Sequence, residues 1–268
     1  MAIEILPDAD EIHLACRPAY LKTLVAPLDD MWAALAAMAN PYALVVDDRV
    51  VGCCTVNEER ELHQFYLHPE SEDRGELILA SLVDQMDIVS AVPSTVDPAF
   101  LSLTLSIGHS SDTVALMYQH VLEPQGSALT GLRIATTADH ADAVAFAKAA
   151  TGMPGEFLVP YLSERIERAE LLLHEVSGAI HATGECRVDQ THLGHAHLGM
   201  IVGSDHRNRG VGSQLLNALV AECRRRDLRP LCSTESTNLA ARRVIHKIGF
   251  RSRHRVFRVK FGTSDSES

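Results

Sequence analysis

The sequence predicts an α+β protein built as two units in tandem, and three observations carry that expectation. Charge is divided unevenly. Residues 1–127 hold 20 acidic and 5 basic side chains, a net of −15; residues 128–268 hold 15 and 19, a net of +4, within a 268-residue chain of formal net charge −11. Between the halves, Glu123-Pro-Gln-Gly-Ser-Ala-Leu-Thr-Gly131 is rich in breakers of regular structure. Both halves mix short β-rich runs with helical periodicity. A 46% hydrophobic and 22% charged composition suits a globular chain. The absence of any apolar run of about 18 residues predicts no membrane partner. Met1-Ala-Ile-Glu-Ile5 lacks the basic and apolar regions of a secretory signal, and the six cysteines show no CxxC spacing. Free thiols and a cytoplasmic location are therefore expected.

In the first half, residues 43–54 read as a hairpin, two β-rich runs around Asp47-Asp48-Arg49. Adjacent Cys53 and Cys54 point to opposite faces of such a strand. Phe65-Tyr-Leu67 reads as a strand and 77–86 as an amphipathic helix. In the second half, 132–136 reads as a strand and 139–150 as an Ala-rich helix capped by Thr137 or Asp139. Residues 171–176 and 179–188 form a hairpin about Ser177-Gly178, and 195–202 form a further strand. Val211, Leu215, Leu219 and Leu216, Val220, Cys223 make one apolar helical stripe. Residues 229–233 are a short strand, 238–247 a helix and 256–261 a last strand.

One stretch carries chemistry. A strand ends at Met200-Ile201-Val202, and a loop then delivers Arg207-Asn208-Arg209-Gly210-Val211-Gly212 to the start of the amphipathic helix. First-turn N–H groups and the positive end of the helix dipole attract anions. Glycines let the backbone approach a phosphate closely, and Arg207 and Arg209 add charge. A pyrophosphate is the natural guest, although an ordinary helix cap produces the same pattern. No Gly-Lys-Ser/Thr follows, so this is not a Walker loop, and the GxGxxG fingerprint is absent. Downstream, Asn238-Leu-Ala-Ala241 opens a helix that ends in Gly249-Phe250, with Asn238 as its cap and Gly249 as the left-handed residue after its end.

In this order and separation the two signals resemble the acetyl-CoA-binding core of the GNAT superfamily of N-acetyltransferases. Arg207-Asn-Arg-Gly210-Val-Gly212 matches its Q/R-x-x-G-x-G/A motif, and Asn238, Ala241, Gly249 and Phe250 match its N-x-x-A…GF helix. The resemblance implies two tandem GNAT-like domains, 1–127 and 131–262, each a mixed, largely antiparallel sheet flanked by helices. The polar segment 263–268 is expected to be a disordered tail. With acetyl-CoA as co-substrate, the backbone of Met200, Ile201 and Val202 would pair with the pantetheine arm. The N–H groups of residues 207–212 would hold the pyrophosphate, and Asn238 would orient the thioester end.

The first half reads as a degenerate copy. Counted in register, Glu72-Asp-Arg-Gly75-Glu-Leu77 falls on Arg207-Asn-Arg-Gly210-Val-Gly212. Three carboxylates (Glu72, Asp73, Glu76) would repel phosphate and Leu77 would block backbone approach, so no CoA binding is expected there. Further on, after a short insertion, Ser111 falls on Asn238 and Tyr118 on Ile245. A coincidental α+β domain is the alternative.

The resemblance implies direct attack of a primary amine, on a small molecule or a peptide, within a ternary complex. The family's usual acid, a Tyr, is Ile245 here, and the strand position of its usual Glu base is Ala196. Glu185, His197 and Glu235 are the substitute catalytic candidates, against plain readings as solvated carboxylates and a sheet-face histidine. His195 and His197 share a strand face but lack a third ligand, so no metal is expected. The basic runs at Arg224-Arg-Arg226 and Arg251, Arg253, Arg255, Arg258 interleave with one aromatic residue, Phe257, so no nucleic acid is expected either. The acceptor pocket is expected from the first helices and a loop over 153–161. The missing acid and base motivate the alternative of a non-catalytic CoA-binding sensor or scaffold.

Overall fold

The computed structural model describes residues 2–122 and 129–262. Of the expected join, only residues 129–131 are described, and the expected disordered tail, 263–268, lies outside the described residues. The elements are β1 (Ile3–Leu6), α1 (Asp10–Thr23), α2 (Asp30–Met38), β2 (Asn40–Val46), β3 (Arg49–Val56), β4 (Glu61–Leu67), α3 (Gly75–Met86), β5 (Ser90–Ala91), α4 (Pro98–Ile107), β6 (Ser110–His120), β7 (Leu132–Ile134), α5 (His140–Thr151), α6 (Gly155–Glu167), β8 (Leu171–Val176), β9 (Ala179–Val188), β10 (His195–Val202), α7 (Val211–Arg225), β11 (Arg229–Glu235), α8 (Leu239–Lys247) and β12 (Phe250–Lys260). Short 3-10 turns precede α3, α5 and α7.

The contacts divide the chain into two units. Unit 1 takes the chain through Leu116, Glu235–Thr237 and the chain from His254; unit 2 takes Met117–Thr234 and Asn238–Arg253. Each unit therefore draws on both halves of the sequence, because β6 and β12 are shared out between them. In unit 1 the strand order is β1-β2-β3-β4-β5-β12-β6; in unit 2 it is β12-β6-β11-β10-β9-β8-β7. Most of the pairs described are antiparallel, while β4 with β5 and β10 with β11 run parallel. The α+β expectation, with a mixed and mostly antiparallel sheet flanked by helices, is borne out.

Local chemistry explains most elements. Asp47 and Asp48 both have positive φ (48° and 64°), which gives the turn of the β2–β3 hairpin the twist its strands need. Ser177 and Gly178 (φ 52° and 78°) do the same for β8 and β9. Cys53 packs with Cys16, Tyr20 and Tyr66, whereas Cys54 joins the opposite cluster with Phe65, Leu79 and Phe100, as strand alternation requires. All six cysteines are free and buried. The predicted stripe of α7 is buried from Leu215 to Cys223. Among the described residues no helix is long and apolar enough to cross a membrane.

Four expectations need correction. Residues 155–167 form helix α6 rather than a loop, because Leu158, Leu162, Arg165 and Ile166 bury one face despite Pro160 inside it. The 3-10 turn leading into α5 is capped by Thr136, which forms a capping box with Asp139. The last strand is longer than expected, Phe250–Lys260. Finally, Ser111 and Tyr118 are strand residues of β6, so they do not correspond to Asn238 and Ile245 on α8. The matching helix of the first half is α4. Its N-cap, Asp97, accepts from Phe100 N–H as Asn238 accepts from Ala241 N–H.

Candidate functional site

The parallel register of β10 with β11 ends at His197↔Leu231, yet β10 continues to Val202 and β11 to Glu235. The other edge of β10 stays paired with β9 up to Val202↔Ala182. Beyond His197 the β11-facing edge of β10 thus runs on without a strand partner among the described residues, and its end leads into the Gly-rich turn of α7.

Three ties fix that turn. Gly203 N–H donates to His181 O at 3.0 Å, and the rings of His181 and His206 stack with centroids 3.6 Å apart. Arg207 then straps the loop: its Nε donates to Val202 O at 3.1 Å and its Nη2 to Ala150 O at 2.9 Å. The Arg207 guanidinium is committed to the fold, whereas Arg209 is exposed and has no partner among the described residues. Asn208 (φ 61°) and Gly210 (φ 84°) both turn left-handed, so the chain enters α7 with no side chain capping its first N–H groups. A Cβ on Gly212 would meet nothing nearer than Val202 Cγ2 at 3.6 Å. That is ordinary van der Waals contact, so internal packing does not require glycine at 212. Gly75 in unit 1 differs: a Cβ there would lie 2.9 Å from Leu103 Cδ2, so that glycine serves the packing of α3 on α4. Glu72, Asp73 and Glu76 are all exposed around it.

Below α6 lies a buried polar group of side chains. The Tyr161 hydroxyl donates to Glu185 Oε2 at 2.6 Å, and Arg187 pairs with the same carboxylate. Burial, followed by the Glu185 carboxylate, pushes the Tyr161 phenol up beyond its ordinary range. Glu185 is 7% exposed. It pairs in register with Gly199, and a Cβ on Gly199 would sit 3.4 Å from Glu185 Oε2 and 2.9 Å from Arg187 Nη1. The carboxylate thus faces β10 just past the point where its pairing with β11 stops. Arg165 lies 5.5 Å from the Tyr161 ring centroid and binds Glu170 at 2.7 Å, which fixes Tyr161 from behind. Phe157, exposed, stacks on Tyr161 at 5.4 Å and borders the approach to it.

His197 is fully buried, with Nε2 3.1 Å from Asp189 Oδ2. Burial opposes charge on Asp189, but hydrogen bonds from His197, the His192 and Thr191 N–H groups and the Thr191 hydroxyl hold it well below the usual carboxylate range. Glu235 is exposed at the end of β11 and belongs to unit 1. Asn238 Oδ1 caps α8 by accepting Ala241 N–H at 3.0 Å. Gly249 has φ 101° and follows that helix, as expected. Ile245 and Ala196 are both buried.

Residues 9–121 match a family model described as acetyltransferase (GNAT) domain, and residues 147–250 match one described as acetyltransferase (GNAT) family. A solved acetyltransferase of the GNAT family from Colwellia psychrerythraea is 32% identical, covering 98% of this chain and 100% of its own, with a TM-score of 0.89. The chain belongs to the GNAT acetyltransferase family. Membership brings acyl transfer with acetyl-CoA as co-substrate. A tandem GNAT protein from the clavulanic acid biosynthesis pathway (15% identity, TM-score 0.64, covering 98% of this chain and 100% of that one) shares the fold. So does a GCN5-related N-acetyltransferase from Sphaerobacter thermophilus (17% identity, TM-score 0.63, covering 99% and 98%). Comparison with curated proteins returned no match.

Within this GNAT fold, the structure brings Glu185 together with Tyr161 and Arg187, neither of which sequence reasoning had assigned to it. Arg187 was discoverable from the strand period of two, which puts it on the face of Glu185. Tyr161 was hidden by the loop reading of residues 153–161.

Proposed function

We propose that unit 2 transfers an acetyl group from acetyl-CoA to a primary amine by direct attack in a ternary complex. The observation that carries this reading is the unpartnered edge of β10 beyond His197, which ends at the uncapped, glycine-opened start of α7. The backbone of Met200, Ile201 and Val202 takes the pantetheine amides as an added strand would. The N–H groups of Asn208, Arg209, Gly210, Val211 and Gly212 hold the pyrophosphate, with Arg209 supplying an uncommitted charge, whereas Arg207 N–H is taken by Ser204 O at 3.3 Å. Asn238, its Oδ1 used by the cap, has its amide N–H to offer.

Glu185 is the best-placed base. Its carboxylate takes a proton from the amine, the amine nitrogen bonds to the acetyl carbonyl carbon, and the carbon–sulfur bond breaks. Tyr161 and Arg187 hold the carboxylate in place. Ile245 donates no proton, so the leaving thiolate takes one from solvent. His197 serves the packing of the sheet through Asp189, and Glu235 has no part in the step. The buried Ile245 and Ala196 favour the second reading, a module that binds CoA without turnover.

Calorimetric acetyl-CoA binding beside release of free CoA thiol over a panel of small amines and peptides separates the readings. Binding with thiol release on some amine is expected. Binding without release on any of them supports the sensor, and no binding contradicts both.

A further inference from the structure

Helix α6 carries two aromatic side chains one turn apart, on one face, and they differ in what they meet. Tyr161 is committed: its hydroxyl donates to Glu185 Oε2 at 2.6 Å, and Arg165 lies 5.5 Å from its ring centroid. Phe157 stacks on that ring, with centroids 5.4 Å apart and planes 16° apart, yet it is 44% exposed. The buried face of α6 is made instead by Leu158, Leu162, Arg165 and Ile166. A phenylalanine left this open keeps apolar surface in water that a ligand could cover. The carboxylate is uneven in the same way. Tyr161 and Arg187 both bind Oε2, and among the described residues no hydrogen bond reaches Oε1. An open aromatic ring and an open carboxylate oxygen thus stand at the two ends of one short path, a ring stack and a hydrogen bond long.

We propose that the acceptor of unit 2 is a primary amine joined by a two- or three-carbon tether to an aromatic ring. The ring stacks on Phe157 and the nitrogen meets Glu185 Oε1. The inference rests on the reading of Glu185 as the base and adds the substrate class. The span suits such a molecule: stacked rings stand about 4.5–7 Å apart between centroids. A tether at about 1.5 Å per bond then carries the nitrogen on toward Glu185. Phe157 sets specificity and takes no part in the chemical step.

Calorimetric titration of 2-phenylethylamine and of n-propylamine into the full chain, with saturating CoA, reads ring recognition without turnover. 2-Phenylethylamine is expected to bind about tenfold tighter or more, from stacking and ring burial. Phe157→Ala should cut that preference to about twofold or less, and Phe157→Tyr, which keeps the ring, should restore it. Equal affinity for the two amines, no binding of either, or a preference undiminished in Phe157→Ala overturns the proposal. Release of thiol from acetyl-CoA, followed on the same two amines, separates this inference from the reading beneath it. A ring preference in binding with no release on either amine supports the ring site and contradicts the base. Release at equal kcat/KM on both overturns the ring site and supports transfer.

Discussion

The Tyr161 hydroxyl donates to Glu185 Oε2 at 2.6 Å, tying a residue of α6 to the strand residue that faces Gly199. Because burial raises its pKa, Tyr161 stays a neutral donor throughout the neutral pH range. Glu185→Gln should lower kcat by about 10²–10⁴-fold, the usual loss of a positioned base. Its acetyl-CoA Kd should stay unchanged. Tyr161→Phe should cost roughly tenfold in kcat, since it frees the carboxylate without removing it. Steady-state kinetics with calorimetric Kd values checks both; a Glu185→Gln enzyme at full rate removes Glu185 from the chemistry.

The two glycines at the helix starts should behave oppositely. Gly212→Ala places its Cβ in ordinary contact at 3.6 Å, so Tm should hold while acetyl-CoA affinity falls. Gly75→Ala drives a Cβ to 2.9 Å from Leu103 Cδ2, the end of a half-buried side chain that can shift, so it should destabilise unit 1 by no more than about 1 kcal/mol, the low end for overpacking, with the acetyl-CoA Kd intact. Thermal melts beside calorimetry read both effects.

Arg207 and Arg209 should differ in salt dependence. Arg209 acts on phosphate through its charge, so the loss in Arg209→Ala should shrink as salt screens it. Arg207→Ala removes the bonds to Val202 and Ala150 carbonyls and loosens the turn. Its loss of affinity should persist in high salt. Binding titrations from low to about 0.5 M salt, where the Debye length falls well below 10 Å, decide it.

Asp189 should govern acid stability. Its folded pKa is depressed, so its contribution is fully present above the ordinary carboxylate range and is lost as pH falls through its folded pKa. At pH 7, Asp189→Asn should cost about 1–3 kcal/mol in urea unfolding, the price of a buried charged hydrogen bond. That difference should narrow below about pH 4. His197→Gln should lower activity only as far as it lowers stability.

Much of the second half was legible because its signals are local. Ser177-Gly178 marks a hairpin, and the stripe from Leu215 to Cys223 marks a helix. The loop from Arg207 to Gly212 was legible because its glycines stand at the start of that helix. Helix α6 was not, since Pro154, Gly155 and Pro160 read as breakers while burial of Leu158, Leu162 and Ile166 overrides them. The start of α4 was written in Asp97-Pro98, a cap followed by proline at the first helical position. Counting on with a short insertion instead places Ser111 on Asn238, which passes over that cap. The division of β6 and β12 between units depends on long-range pairing that no local pattern encodes.

Whether unit 2 alone holds acetyl-CoA is decided by titrating acetyl-CoA into the full chain, with binding stoichiometry as the readout. One equivalent is expected per chain, abolished by Gly210→Glu, which sets a carboxylate at the start of α7, and unaffected by Leu77→Glu on the exposed surface of α3. Two equivalents in the parent protein, or undiminished binding in a folded Gly210→Glu variant, would contradict it.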